Sequence, residues 1–147
     1  MKHLLFLCLF LPLLAGCGAG DDDGRRLGDY IVGTWLRGWG EGDVIIEGAT
    51  DLRPDNFTYA TFVFDGDGTY NGMMRSGSFH TYDTDGELLF EGSYQCDNST
   101  LKMEYVNDGR QTILAKILTF TEDTMVIQYK NEDYNVMVTV TLRKSVQ

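Results

Sequence analysis

The chain has 147 residues, of which 43% are hydrophobic and 23% charged, and its formal net charge is −10 at pH 7. This length favours a single domain with short additional segments. So acidic a chain argues against a nucleic-acid partner and against electrostatic binding to anionic lipid surfaces, because both select basic proteins.

Residues 1–16 contain the three parts of a secretory signal. Lys2 precedes an apolar run that ends at Leu14, and the small residues Ala15 and Gly16 follow. A basic start, an apolar stretch and a small-residue cleavage zone are the parts that such a signal requires. The run has about a dozen apolar residues, whereas a membrane-spanning helix needs about 20. We therefore predict a cleaved signal peptide over 1–16.

The sequence Leu14-Ala15-Gly16-Cys17 resembles the lipobox of bacterial lipoproteins. The resemblance implies that Cys17 becomes the first residue of the mature chain and carries lipid, including fatty acyl groups such as palmitate. More than one buried acyl chain anchors a protein stably without any spanning helix. The resemblance thus predicts an outer-membrane lipoprotein. Cys96 is then the remaining thiol of the mature chain, and we expect it to be a small buried residue.

Residues 17–29 are predicted to form a lipid-anchored flexible tether. Glycine and charged residues dominate this segment, so it offers too little apolar surface to offset the entropy of ordering. The acidic triplet Asp21-Asp22-Asp23 resembles the surface-export signal of lipoproteins from gut-dwelling anaerobic Gram-negative bacteria. That resemblance favours display on the cell surface over retention at the periplasmic face.

From residue 30 to residue 147 the sequence predicts an all-β domain. Met125, Ile127 and Tyr129, for example, alternate with other residues so that they share one face of a strand. Turn sequences rich in Asp, Asn and Gly separate such runs. We predict an antiparallel meander closed into a small barrel of about eight to ten strands, with a two-sheet β-sandwich as the alternative. The candidate strands are 31–37, 43–47, 59–64, 69–75, 77–82, 87–95, 100–106, 112–120, 124–130 and 134–143.

Gly33-Thr34-Trp35 resembles the Gly-x-Trp start of lipocalins and of the short lipocalin-like (calycin-type) domains of bacterial lipoproteins. The segment from Phe64 to Tyr70 resembles a second motif of those domains, Phe-x-x-Asp-Gly-Thr-Tyr, with one extra residue. The resemblance implies that Trp35 plugs the closed end of the barrel and that a late arginine, here Arg143, lies across it. Strict alternation places Arg143 outward, so this contact requires a twist at the strand end.

Aromatic residues on predicted inward positions are the candidate ligand-binding residues. A tyrosine puts a hydroxyl where a purely structural core would use leucine or phenylalanine, so several of them favour a cavity with both apolar and polar contacts. The alternative is that these rings fill a solid core and reach water at the rim. Trp39, which follows a glycine at the exit of the first strand, is predicted to guard the mouth. The inward candidates are Tyr70, Phe90, Tyr94, Tyr105 and Tyr129.

The Asp-x-Asp pairs that begin at Asp65 and Asp83 resemble parts of calcium loops. An EF-hand in either register requires a glutamate where this chain has Ser76 and Tyr94, so no metal site is predicted. The chain also lacks a Gly-x-Ser-x-Gly nucleophile elbow. We therefore expect no catalytic residues, no cofactor and no enzymatic activity.

Asp123-Thr124-Met125 resembles the three-residue O-glycosylation sequon of the same bacterial group, which makes Thr124 a candidate glycosylation site. The sequence as a whole predicts a lipid-anchored envelope protein that binds a small apolar or amphipathic ligand or an envelope protein. The alternative is a solid-core structural or adhesive surface module that acts through loops 48–57 and 106–111.

Overall fold

The computed structural model describes residues 24–57 and 59–146. The predicted signal peptide, the lipidation site Cys17 and the acidic triplet lie outside the described residues, so those interpretations remain predictions. In the described part, no helix is both long enough and apolar enough to cross a membrane.

The described residues form an antiparallel β-barrel, which confirms the predicted fold class. The pairing order is β1-β3-β4-β5-β6-β7-β8-β9, and β1 pairs with β9 to close a ring of eight strands, while β2 also pairs with β9. The closure excludes the β-sandwich alternative. The elements are α1 (Leu27–Tyr30), β1 (Gly33–Arg37), β2 (Val44–Glu47), a 3-10 turn (Pro54–Asn56), β3 (Thr61–Phe64), β4 (Arg75–Tyr82), β5 (Leu88–Cys96), β6 (Thr100–Val106), β7 (Arg110–Phe120), β8 (Thr124–Asn131) and β9 (Val136–Lys144).

The inner face of the barrel follows the alternation seen in the sequence. On β8, Met125, Ile127 and Tyr129 are buried, and they pair with the buried residues Leu142, Val140 and Val138 of β9. Burial of each such side chain contributes about 1.5–3 kcal/mol relative to its exposure. This shared core holds the ring closed around the site described below.

The predicted strand 69–75 is wrong. Only a single bridge joins Tyr70 to Arg75, and the residues between them turn sharply. The side-chain oxygen of Asn71 accepts hydrogen bonds from the backbone N–H groups of Met73 and Met74, and Gly72 has a φ of 84°. An asparagine that bonds its own following backbone and a left-handed glycine form a turn rather than a strand.

The end of the barrel at which β1 begins is closed by α1. Leu27 and Ile31 are fully buried there, and the indole Nε1–H of Trp35 donates to the carbonyl of Ile31 at 2.7 Å. The backbone N–H of Leu27 donates to Asn98 Oδ1 at 2.8 Å. The predicted flexible tether therefore extends too far, because its last residues pack against the barrel.

The cation over Trp35 is Lys144, and the predicted role of Arg143 is wrong. Lys144 Nζ lies 5.4 Å from the centroid of the Trp35 ring and donates to the carbonyl of Tyr30. Arg143 points outward, as alternation requires, and its two terminal nitrogens donate to the carboxylate of Asp43 at 2.8 and 3.0 Å. The strand end does not twist enough to bring the Arg143 side chain inward and turn the Lys144 side chain outward.

Candidate ligand-binding site

Aromatic side chains fill the barrel interior toward the end opposite α1. The rings of Phe90 and Tyr105 stack with centroids 4.1 Å apart, and Tyr59 meets Phe90 edge to face at 5.7 Å. Tyr105 reaches Phe90 because the residue paired with it is Gly92, which has no side chain to obstruct the ring. These contacts join β5, β6 and the segment just before β3 at one end of the interior.

A small void lies within this aromatic cluster. Its volume is about 10 Å³, and the residues around it include Tyr59, Phe62, Phe90, Met103, Ile127 and Tyr129. Such a volume holds about one water molecule, whereas sites for drug-sized ligands occupy about 300–1,000 Å³. The aromatic end is therefore packed in this state, and a ligand binds there only where side chains move aside.

Burial raises the pKa of the three tyrosines at this end. Desolvation is the largest cause for Tyr59, Tyr105 and Tyr129; neighbouring tyrosines raise the pKa of Tyr59 and Tyr129 further, and Asp133 raises that of Tyr105. At neutral pH all three hydroxyls therefore remain protonated. A protonated phenol both donates and accepts a hydrogen bond, so these side chains offer polar contacts among apolar ones.

Arg37 is a charged side chain inside the barrel wall. It is 3% exposed, and its Nη1 donates to the carbonyl of Phe57. Its Nε and Nη2 are buried and have no hydrogen-bond partner. A buried donor without a partner costs about 1–3 kcal/mol, and more when it is charged. No group in the described structure therefore accepts a hydrogen bond from Nε or Nη2 of Arg37.

Trp39 covers Arg37. The centre of the guanidinium lies 3.6 Å from the centroid of the Trp39 ring, a cation–π contact. The ring itself is 53% exposed, so Trp39 separates the guanidinium from solvent. The loop that carries Trp39 is held by Asp43, whose carboxylate accepts from the Gly40 N–H at 2.8 Å and from Arg143.

The electrostatic neighbours of Arg37 link it to the aromatic cluster. Burial lowers the pKa of the Arg37 guanidinium, while Tyr129 and Asp55 act in the opposite direction. Tyr129 also borders the void. Tyr129 thus links the buried charge of Arg37 with the aromatic end of the interior.

The structure brings together only part of the predicted ligand-binding set. Phe90, Tyr105 and Tyr129 lie in the aromatic cluster. Tyr94 is buried deeper in the core, where its hydroxyl donates to the carbonyl of Asp65 at 2.9 Å. Whether any of them binds a ligand remains a prediction.

The inward placement predicted for Tyr70 is wrong. Its hydroxyl donates to the carboxylate of Asp29 at 2.6 Å, and its ring lies against Gly28 of α1 and under the guanidinium of Arg75. Tyr70 therefore helps to dock α1 and belongs to the closed end. The turn at Gly72, which interrupts the predicted strand, explains why alternation fails at this residue.

Sequence reasoning missed Arg37 and Tyr59. Arg37 lies two residues after Trp35 on β1, and alternation places both side chains on the inner face. That spacing is a usable signal, but a charged residue is ordinarily expected outside. Tyr59 precedes β3 in an irregular segment, where no periodic pattern indicates its direction.

The acidic turns serve local structure. The carboxylate of Asp67 accepts from the backbone N–H and the hydroxyl of Ser78, and that of Asp83 accepts from the N–H groups of Asp85 and Glu87 at 2.9 Å. Within residues 24–57 and 59–146, no three His, Cys, Asp or Glu side chains group as a metal site would require. In the structure, the Asp83 carboxylate thus caps the β4–β5 turn and the Asp67 carboxylate ties its turn to β4.

His80 and Thr124 lie on the outer surface. The ring nitrogens of His80 face the carboxylates of Asp65 and Glu91, each at 3.3 Å, so neither nitrogen is directed at a nucleophile. The Thr124 hydroxyl donates to the Asp123 carboxylate at 3.2 Å at the start of β8. Glycosylation of Thr124 remains a prediction.

Comparison with protein families agrees with the barrel and its N-terminal motif. A family model described as a lipocalin-like domain matches residues 31–127, more than half of the chain. The chain belongs to this lipocalin-like family. No curated protein matches it. Lipocalin-like domains generally bind or transport other molecules, so family membership points to binding.

Proposed function

We propose that this lipocalin-like protein is a lipid-anchored envelope protein that binds a small amphipathic molecule at the aromatic end of its barrel. The observation that carries the binding proposal is the aromatic cluster at this end: Tyr59, Phe90 and Tyr129 border a small void, and Tyr105 stacks on Phe90. Protonated tyrosine hydroxyls among apolar rings suit a ligand that has both an apolar part and a polar group.

The packed interior defines how such a ligand enters. Because the void holds about one water, the ligand must displace rings that now fill the space. Tyr59 and Tyr105 are only partly buried, so they are the side chains that move with the least loss of core packing. We propose a site that opens on binding rather than a preformed chamber.

Binding is tested with the chain from residue 17 onward carrying Cys17→Ser, which keeps every residue that the structure describes. Titration with 1-anilinonaphthalene-8-sulfonate and with decanol measures saturable binding by fluorescence and calorimetry. Tyr59→Ala and Tyr105→Ala are expected to change the affinity, and Lys116→Ala on the outside of β7 serves as the control. Absence of saturable binding to both probes contradicts this function.

The anchor is tested separately in cells. The Leu14-Ala15-Gly16-Cys17 motif supports lipidation of Cys17, and the following acidic triplet supports surface display. Mass spectrometry of the mature N-terminus is expected to show acylated Cys17, and Cys17→Ala is expected to abolish it. Accessibility to an added protease on intact cells distinguishes the outer surface from the periplasmic face.

A second candidate function uses the outside of the barrel. Two neighbouring open depressions of about 410 and 400 Å³ lie over β4–β6 and share Ser93 and Glu104. Their mixed polar and apolar lining suits recognition by a structural or adhesive surface module with a solid core. Glu104→Lys is expected to impair cell adhesion or partner binding under this alternative, whereas it leaves decanol binding unchanged.

A further inference from the structure

We propose that Arg37 binds the carboxylate group of the amphipathic ligand through its free Nε and Nη2. The proposal rests on the proposed function and names the chemical class of the polar group. The starting observation is that both nitrogens are buried without a partner, while the third, Nη1, already donates to Phe57.

The two free nitrogens are the pair suited to a carboxylate. The N–H of Nε and one N–H of Nη2 point in parallel from the same edge of the guanidinium plane. A carboxylate has two oxygens at the matching spacing and accepts both bonds in one plane. An alcohol supplies one oxygen without charge, and an ammonium group is repelled. The edge left open on Arg37 therefore selects a carboxylic acid.

The described protein supplies no anion for this edge. Asp55 influences Arg37 electrostatically, but its side chain is exposed in the 3-10 turn and no bond joins it to the free nitrogens. Arg143, by contrast, has Asp43 as a bidentate partner on the outer surface. The unsatisfied arginine is thus the inner one, and Tyr129, which borders the void, is among its electrostatic neighbours.

Trp39 provides access to the buried edge. Its ring is 53% exposed and lies on the guanidinium, and glycines stand on both sides of it at positions 38 and 40. Rotation of one half-exposed ring uncovers Arg37 without opening the strand ladder. After binding, the acid lies against Arg37 and its apolar part extends toward Tyr129 and the aromatic cluster.

The experiment compares decanoate with decanol, which share a chain length and differ in the polar group. We use the chain from residue 17 onward with Cys17→Ser and measure affinity by calorimetry and by Trp fluorescence. Charge-assisted hydrogen bonds of this kind correspond to about tenfold to hundredfold in affinity. Decanoate is expected to bind at least about tenfold more tightly than decanol.

Two substitutions at Arg37 separate charge from geometry. Arg37→Met is expected to remove the preference for decanoate while decanol binding remains. Arg37→Lys keeps the charge but loses the parallel donors, so the preference is expected to fall to an intermediate value. Arg110→Met, at the exposed start of β7, is the matched control and is expected to keep the full preference. Near-UV circular dichroism checks that each variant is folded.

Each outcome decides the proposal. Equal binding of decanoate and decanol, unchanged in Arg37→Met, overturns the role of Arg37 and leaves the proposed function standing. Absence of binding by both ligands overturns both. Binding of decanoate only in Asp55→Asn also overturns the proposal, because Asp55 is then the partner that occupies the arginine in solution.

Discussion

Substitution of Gly92 by alanine is expected to strain the pairing of β5 with β6. A Cβ at this position would lie 1.9 Å from the carbonyl oxygen of Glu104 and 3.0 Å from Tyr105 Cα. Ordinary van der Waals contact begins near 3.4 Å, so β6 must retreat by roughly 1.5 Å. A ladder hydrogen bond of about 2.9 Å does not survive such a shift.

The magnitude follows from these two effects. Overpacking costs about 1–3 kcal/mol, and the loss of one or two ladder bonds adds about 1 kcal/mol each. We expect Gly92→Ala to lower the free energy of unfolding by about 2–5 kcal/mol. With an m-value of about 1.5 kcal/mol/M, the midpoint of urea unfolding is expected to fall by about 1.3–3.3 M.

Gly86→Ala is the matched control in the β4–β5 turn. Gly86 has a φ of +81° and nothing within 4 Å of the added methyl, so only the left-handed backbone is penalised, by about 1–2 kcal/mol. Urea unfolding followed by circular dichroism compares the two variants. If Gly92→Ala loses no more stability than Gly86→Ala, the steric reasoning about the β5–β6 contact is refuted.

Three further predictions concern titration and exposure. Burial raises the pKa of the Cys96 thiol to about 12, so the folded state holds a proton that the unfolded chain releases above pH ~8.5. This thiol is expected to lower the free energy of unfolding by up to ~1.4 kcal/mol per pH unit between pH ~8.5 and ~10, and the fall is expected to be shallower in Cys96→Ala, where the buried tyrosines still contribute near pH ~10. The hydrogen bonds from Arg143 hold the pKa of Asp43 below its usual range. The ionised Asp43 carboxylate therefore stabilises the fold above pH ~4, and this contribution to the free energy of unfolding is lost as the pH falls through the pKa of the folded state. Asp43→Asn is expected to lack this acid-dependent loss of stability. Trp39 is 53% exposed and Trp35 is fully buried. Iodide is therefore expected to quench the fluorescence of Trp39, which remains in Trp35→Phe, and hardly that of Trp35, which remains in Trp39→Phe. Equal quenching of the two variants would contradict this arrangement.

The barrel was predictable because its signal is local and repeated. Met125, Ile127 and Tyr129 show their shared face in the sequence alone, and every neighbouring strand repeats the same period of two. The short segment 69–75 failed because the Asn71 side chain and Gly72 form a turn within an otherwise strand-like composition. Patterning fixes the face of a strand better than it fixes where the strand begins.

The site depends on contacts that sequence separation conceals. Leu27 lies in a segment with the composition of a linker, yet its side chain is part of the buried core and its backbone N–H donates to Asn98, far along the chain. Arg37 is inward by its spacing from Trp35, but only the contacts with Phe57 and Trp39 show that two of its nitrogens remain free. Whether a buried charge has hydrogen-bond partners depends on its neighbours in three dimensions, which the sequence does not show.

The docking of α1 gives the barrel a direction relative to its attachment point. Leu27 enters the body at the closed end, and the hairpins that follow β4, β6 and β8 lie at the other end. With Cys17 anchored as proposed, the ten residues to Leu27 span at most about 35 Å. With such an anchor the chain would enter the barrel at its closed end, so the aromatic end would be the end farther from the point of attachment.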